Sequence, residues 1–325
     1  MQYPSSDHYD GEHFFNPEPT IRRNTGKPVS IFTFLRMRRD PAVWARWPKH
    51  VENLAYPPPV GDTPTVTFIG HSTFLIRLQG LTVLTDPIFS ARCSPTRFLG
   101  PKRVRAPGIA LADLPPVDLI LLSHNHYDHM DLNALRALRR RNPAVAILTT
   151  LGNAAYLSKK GLRDAVELDW WQSVEACGAS VTVTPARHFS ARWLNDRNET
   201  LWGGMLIAHQ GLKIYFAGDT GWTRYFAEIR ARLGAPDLAL LPIGAYEPRD
   251  FMGAVHINPA EAVHAFLELG AARAIGMHFG TFQLTAEAID APLQDLAAAR
   301  DSAGVPAEAF VTLDVGESVA LEQGV

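Results

Sequence analysis

Cysteine is scarce in this chain of 325 residues: Cys93 and Cys177 are the whole complement. They could form one bridge at most, which excludes a disulfide framework and favours a reducing compartment. An excess of charge of one sign is also missing. Lys and Arg number 31 against 33 Asp and Glu, so no global field draws the protein to nucleic acid or acidic membranes. Without a basic stripe, a nuclease is disfavoured. No apolar run approaches the ~18 residues of a spanning helix. The N-terminal MQYPSSDHYDGEHFFNP lacks the basic-then-apolar layout of a secretory signal. A cytoplasmic location is expected, with peripheral membrane contact left open. The balance of 46% hydrophobic and 20% charged residues is that of an ordinary soluble globular protein.

Residues 1–56 are rich in aromatics, Pro and Arg and show no strand alternation. They read as an N-terminal extension packed on a main domain spanning 57–325. Within the extension, SIFTFLRMRRDPAVWARW mixes apolar and basic residues. It fits an amphipathic helix lying on a membrane surface, or packing on the domain with arginines reaching to water. YPPPVGDTP (56–64) reads as a linker. From residue 65 the texture turns β-branched and aromatic, and Gly70 and Gly80 break it into three strands. VDLILLS and AVAILTT read as buried strands around an amphipathic helix at 131–141. Further helices are expected at about 223–233, 259–269 and 285–300. The second is the best signposted, with Asn258 to cap it, Pro259 in its first turn, Glu261 at the third position and Gly270 to stop it. TFLIRLQGLTVLTDP (73–87) echoes GMLIAHQGLKIYFAGDT (204–220): strand, Gln-Gly-Leu turn, strand, then Asp. Two similar β-rich halves packed face to face, with helices outside, fit this echo. The expected fold is α/β, a four-layer αββα sandwich with mixed sheets.

The stretch LLSHNHYDHMD places three histidines and two aspartates within eight residues, directly after a buried strand. Imidazoles and carboxylates at this density point to a borderline cation such as Zn²⁺. His124 and His126, two apart in extended chain, share a face and converge. Asp128 and His129 follow where strand turns to helix and could hold a second ion. His188, Asp219, His278 and Asp86 each follow an apolar strand, where loops gather functional groups. Asp86 reads as a carboxylate that orients a ligating histidine, or as a turn cap. His71 contacts substrate, buttresses the site or packs in the core. His256 precedes a helix N-terminus, which favours anions, and could meet a substrate phosphate. Tyr246 and Arg249 could do likewise, with a structural salt bridge the plain alternative for Arg249.

His124-x-His126-x-Asp128-His129, followed by His188, Asp219 and His278, resembles the metal motif of the metallo-β-lactamase superfamily over residues 65–320. TDPIFSARCSPTRFLGPKRVRAP, LSHNHYDHMD, LWGG, FAGDTGW, LPIGAYEPRDFM and MHFGTF together resemble its N-acylphosphatidylethanolamine-hydrolysing phospholipase D branch. The resemblance implies two divalent ions, Zn²⁺ first with Mn²⁺ or Fe as alternatives. His124, His126 and His188 would hold one, Asp128, His129 and His278 the other, with Asp219 bridging. It also implies a phospholipid or other phosphodiester substrate. Two cations held this way would lower the pKa of a shared water and make a bridging hydroxide the nucleophile, and Asp128, Asp219 and His256 form the expected catalytic set. A lactonase or other small-ester hydrolase is the second enzyme reading, and a metal-binding or sensing module the non-enzyme one. A diiron flavoprotein would need an appended flavin domain, which these residues do not contain. Oligomeric state is not legible.

Overall fold

A computed structural model describes residues 3–18, 36–41, 43–57 and 63–321. The surface helix expected within 30–47 and the linker at 56–64 lie partly outside these residues. What is described of the first is a helical turn at 36–39.

Two seven-stranded sheets form the body. Across its width, the first runs β14 (Ser318–Ala320), β1 (Thr65–Gly70), β2 (Thr73–Leu78), β3 (Leu81–Thr85), β4 (Leu119–Leu122), β5 (Ala146–Thr150) and β6 (Val166–Leu168). The second runs β13 (Phe310–Val311), β12 (Arg273–Met277), β11 (Leu238–Pro242), β10 (Leu212–Phe216), β9 (Gly204–His209), β8 (Ala179–Thr184) and β7 (Ser173–Ala176). Each sheet is mixed. Pairs from β14 to β3 are antiparallel and those from β3 to β6 parallel. In the second sheet, pairs from β7 to β10 are antiparallel and those from β10 to β13 parallel.

The echo in the sequence falls on corresponding hairpins. Gln79-Gly80 joins β2 to β3, and Gln210-Gly211 joins β9 to β10. In each, the glycine takes the left-handed conformation that a two-residue turn demands. The turns also meet across the sandwich, where His209 Nε2 lies 2.8 Å from the Gln79 carbonyl.

Side-chain alternation explains why the β4 run is apolar throughout. Leu119 and Leu121 face the core between the sheets, whereas Ile120 and Leu122 face an outer layer with Leu135 and Leu138. Those last two belong to α1 (Leu132–Arg141), one of the helices flanking the sheets with α2 (Asn153–Lys159), α3 (Tyr225–Leu233), the short α4 (Arg249–Met252), α5 (Pro259–Leu269) and α6 (Ala291–Ala303). The capping signals around α5 hold. The Asn258 side chain accepts from Glu261 N, the Glu261 side chain accepts from Asn258 N, and Gly270 ends the helix in the left-handed region. The helix expected at 285–300 begins instead at Ala291. Glu287 is spent accepting from Ala245 N and Glu247 N, and Pro292 suits only a first turn. β6 and β7, half-exposed edge strands of only three and four residues, were not expected.

Candidate metal centre

The site is built where strands of both sheets end. The first sheet supplies His71 from the β1–β2 turn, Asp86 immediately after β3, and His124, His126, Asp128 and His129 from the loop between β4 and α1. The second supplies His188 beyond β8, Asp219 beyond β10, His256 before α5, and His278 immediately after β12. Pro185 follows β8 directly, so His188 lies on a loop, four residues past the end of the strand it was expected to end. His71, Asp86 and His278 all have φ between 30° and 64°. Such backbone costs on the order of 1 kcal/mol or more per residue and tends to cluster at functional sites.

Two ligand sets form: His124, His126, His188 and Asp219, and His71, Asp128, His129 and His278, with potential ligand atoms within 4.8 Å of one another in each. Asp219 stands between them. Its Oδ2 lies 3.1 Å from Nε2 of both His129 and His278, 3.7 Å from His188 Nε2 and 3.9 Å from His124 Nε2. In the first set, His126 Nδ1 is 2.8 Å from His124 Nε2 and 3.3 Å from His188 Nε2. In the second, Asp128 Oδ2 is 2.9 Å from His71 Nε2 and 3.4 Å from Nε2 of both His129 and His278.

The opening cluster thus divides. Its other aspartate, Asp131, turns away to cap α1, accepting from Asn133 N and Ala134 N, and it also accepts from Phe89 N and Ser90 N. Asp86 is fully buried and accepts from Ser123 N, Ser123 Oγ and His129 Nδ1 at 2.8, 2.6 and 2.6 Å. His129 therefore presents Nε2 to the centre.

The electrostatics suit a cation. Burial pushes His71 and His126 down to about 3 and His188 to about 4, and His124 and His256 also fall well below the usual imidazole range. Neutral imidazoles are the ligating form. Burial alone would raise the Asp128 and Asp219 carboxyls, but the neighbouring charge of His129 overcomes it and holds both well below the ordinary range. Burial likewise opposes charge on His129 and His278, yet the Asp219 carboxylate raises both, His278 to about 9. A proton and a metal ion are alternative answers to the same two carboxylates. Nε2 of His129, Nε2 of His278 and Oδ1 of Asp219 are buried without a hydrogen-bond partner among the described residues. Orphaned buried polar atoms are rare, and here the two histidine nitrogens both lie 3.1 Å from the other oxygen of Asp219. The donor set fits divalent ions.

His256 joins the cluster, with Nε2 3.9 Å from Asp219 Oδ2. Two other expectations change. Arg249 forms an ion pair with Glu261 at 2.7 Å and donates to the His256 carbonyl, which is the structural alternative. Tyr246 donates to Asp295 of α6, away from the metal centre. The α5 N-terminus is filled by its own capping box, so it offers substrate no free anion cradle. Two contributors went unread in the sequence. Ser123 joins Asp86 to His124, with Oγ 2.9 Å from His124 Nδ1. Its place at the strand end, beside the first histidine, is the signal for it. Arg192 donates from Nη1 to the carbonyls of Asn125 and Met130 and lies 4.0 Å from the Tyr127 ring centroid, clamping the ligand loop. Nothing in the local sequence marks it.

Residues 82–279 match the family model described as a beta-lactamase superfamily domain. A Mycobacterium tuberculosis protein of undescribed activity is 40% identical over 291 residues, covering 84% of this chain and 77% of that one. An N-acyl-phosphatidylethanolamine-hydrolyzing phospholipase D 1 of Caenorhabditis elegans is 39% identical over 265 residues, covering 77% of this chain and 74% of that one. Among solved structures, a metallo hydrolase of the archaeon Ignicoccus hospitalis, Igni18, superposes with a TM-score of 0.60 at 26% identity, covering 80% of this chain and 99% of that one. The matched family model and these relatives agree with ligands gathered from both sheets of the sandwich, and the chain belongs to the metallo-β-lactamase superfamily as a metal-dependent hydrolase.

Proposed function

We propose that this hydrolase is a dinuclear phosphodiesterase of phospholipase D type, acting on an N-acylated or related phospholipid. The observation that carries the dinuclear reading is the position of Asp219 Oδ2 between two ligand sets. The substrate class is supported by the likeness to the nematode phospholipase D. His124, His126 and His188 would hold one ion, and Asp128, His129 and His278 the other, with Asp219 shared. Zn²⁺ is the first candidate for such nitrogen and oxygen donors, with Mn²⁺ and Fe next. When bound, the ions supply Lewis acidity, bringing the acidity of water towards neutrality and offsetting charge that builds on phosphorus.

The chain's own residues do the rest. Asp86 and Ser123 hold His129 and His124 in place. His71 steadies the Asp128 carboxylate. His256, buried, neutral and beside Asp219, is assigned to orient a phosphoryl oxygen. Domain organisation follows the same proposal, with 57–325 as the hydrolase domain and 1–56 as an extension packed on it. Within that extension, Tyr3 and His8 bond to Glu167 and Asp169 around β6.

The test is metal analysis of the purified protein together with hydrolysis of N-acylphosphatidylethanolamine vesicles and of lactones. Phosphatidic acid release that disappears in Asp128→Asn and His126→Ala, with lowered metal content and a retained fold, is the expected result. Lactone opening without phosphatidic acid would move the assignment to the small-ester class. Full activity in a metal-depleted Asp128→Asn protein would defeat the mechanism.

A further inference from the structure

Net charge conceals a strong local asymmetry. Residues 36–49 and 92–105 together hold ten of the chain's 31 basic residues and one of its 33 acidic ones, Asp40. The fold brings the two segments together, with Val51 N donating to the Val104 carbonyl at 2.8 Å. Between them lies a cavity of about 670 Å³ whose walls include Arg38, Arg39, Trp44, Arg46, Lys49 and Lys102. Among the described residues, none of those five cations has an ion pair. The wall is anchored to the body by Trp47, whose Nε1 donates to the Glu287 carbonyl.

Beside this basic wall the chain exposes large apolar groups. Phe98 and Leu99 are 74% and 72% exposed at the tip of one loop. Trp193 and Leu194, at the tip of another, are 63% and 96% exposed. Both loops border the metal centre. Arg103 lies over Phe282, whose ring is 5.4 Å from that of His71. Phe282 packs with Cys93, just before the first tip, and with Tyr127. Tyr127 in turn carries the guanidinium of Arg192, just before the second.

We propose that this rim docks the protein on an anionic phospholipid bilayer, with the arginines and lysines against headgroup phosphates and the two apolar tips inserted at the interface. Unpaired cations alone would suit any polyanion. An apolar tip adjoining them, as Phe98 and Leu99 adjoin the wall at Gly100 to Lys102, gains only where an anionic surface overlies hydrocarbon, and that combination selects a membrane over nucleic acid or an acidic protein. Among the described residues no helix is long and apolar enough to cross a membrane, so the contact is peripheral. The proposal does not rest on which bond the centre cuts.

The experiment is flotation of the full-length, metal-loaded protein with phosphatidylcholine vesicles, with and without phosphatidylglycerol. Binding is expected only to the acidic vesicles and should weaken with salt. Each Lys or Arg near such a surface is worth on the order of fivefold in affinity. The triple variant Arg38→Gln, Arg39→Gln, Lys102→Gln should therefore bind roughly a hundredfold more weakly. A second variant, Phe98→Ser with Leu99→Ser, should also bind more weakly, and both sites are exposed, so melting temperatures should match the parent. Equal binding to neutral and acidic vesicles, or undiminished binding by the triple variant, would overturn the proposal. So would displacement from acidic vesicles by inorganic phosphate beyond that caused by chloride at the same ionic strength, or tighter binding to an oligonucleotide or polyglutamate.

Discussion

Replacing Asp86 by asparagine changes one oxygen to an amide nitrogen at a position with no solvent exposure. Three donors converge there: Ser123 N on one carboxylate oxygen, Ser123 Oγ and His129 Nδ1 on the other. An amide cannot accept from all three. If its oxygen serves Ser123 Oγ and His129, its NH₂ opposes the Ser123 N–H. If it turns over, the NH₂ faces His129 Nδ1, and that nitrogen must accept. The His129 proton then moves to Nε2, the atom 3.1 Å from Asp219, and the lone pair that a cation needs is lost. Loss of such an outer partner lowers metal affinity roughly 10- to 100-fold, about 1.4–2.7 kcal/mol. Stranding a buried donor costs a further ~1–3 kcal/mol of stability. Competition with a chromophoric chelator measures the first effect, and thermal unfolding of metal-stripped protein the second. An Asp86→Asn protein with parental metal affinity would refute the tautomer reasoning, whatever its activity.

Three other outcomes are expected. Gly244→Ala places a Cβ 2.1 Å from the His278 carbonyl oxygen, against backbone that cannot swing aside; a loss of about 3 kcal/mol by denaturant titration, with weaker metal retention, should follow. Arg192→Lys keeps the charge but not the planar guanidinium that lies over Tyr127 and whose Nη1 reaches two carbonyls of the ligand loop, and should lower stability by about 1.5–3 kcal/mol on the same assay. His8 is held between Asp7 and Asp169; burial opposes its charge, but those partners raise its pKa above 6.5. Because the folded value is raised, its contribution is fully present below pH 6.5 and fades as pH climbs through the raised value. The stability gap between parent and His8→Gln should therefore be about 1 kcal/mol near pH 6 and close as pH rises, and a pH-independent gap would contradict it.

Much of this was legible because strand ends carry their own signals. Asp86, His124, Asp219 and His278 stand out as polar groups at the ends of apolar runs, and a period of two explains why β4 must be buried on both faces. Asn258, Pro259, Glu261 and Gly270 mark α5 by local chemistry alone. What was not legible depends on distant partners. Arg249 and Tyr246 lie close in sequence to site residues, yet Glu261 and Asp295 capture them. Asp131 looks like a ligand until the N–H groups of α1 and of Phe89 and Ser90 claim it. Arg192 acts from a loop with no pattern, through carbonyls more than sixty residues away.

The paired hairpins give His129 a special place. Asp86 follows β3 and Asp219 follows β10, strands with matching positions in the two sheets, and the ring of His129 reaches one carboxylate with each nitrogen. That imidazole is a keystone: a slide of either sheet against its neighbour disturbs both of its ends together. Ion binding at this centre and the packing of the two sheets would then be coupled, and neither half, cut free, would keep both carboxylates on the ring.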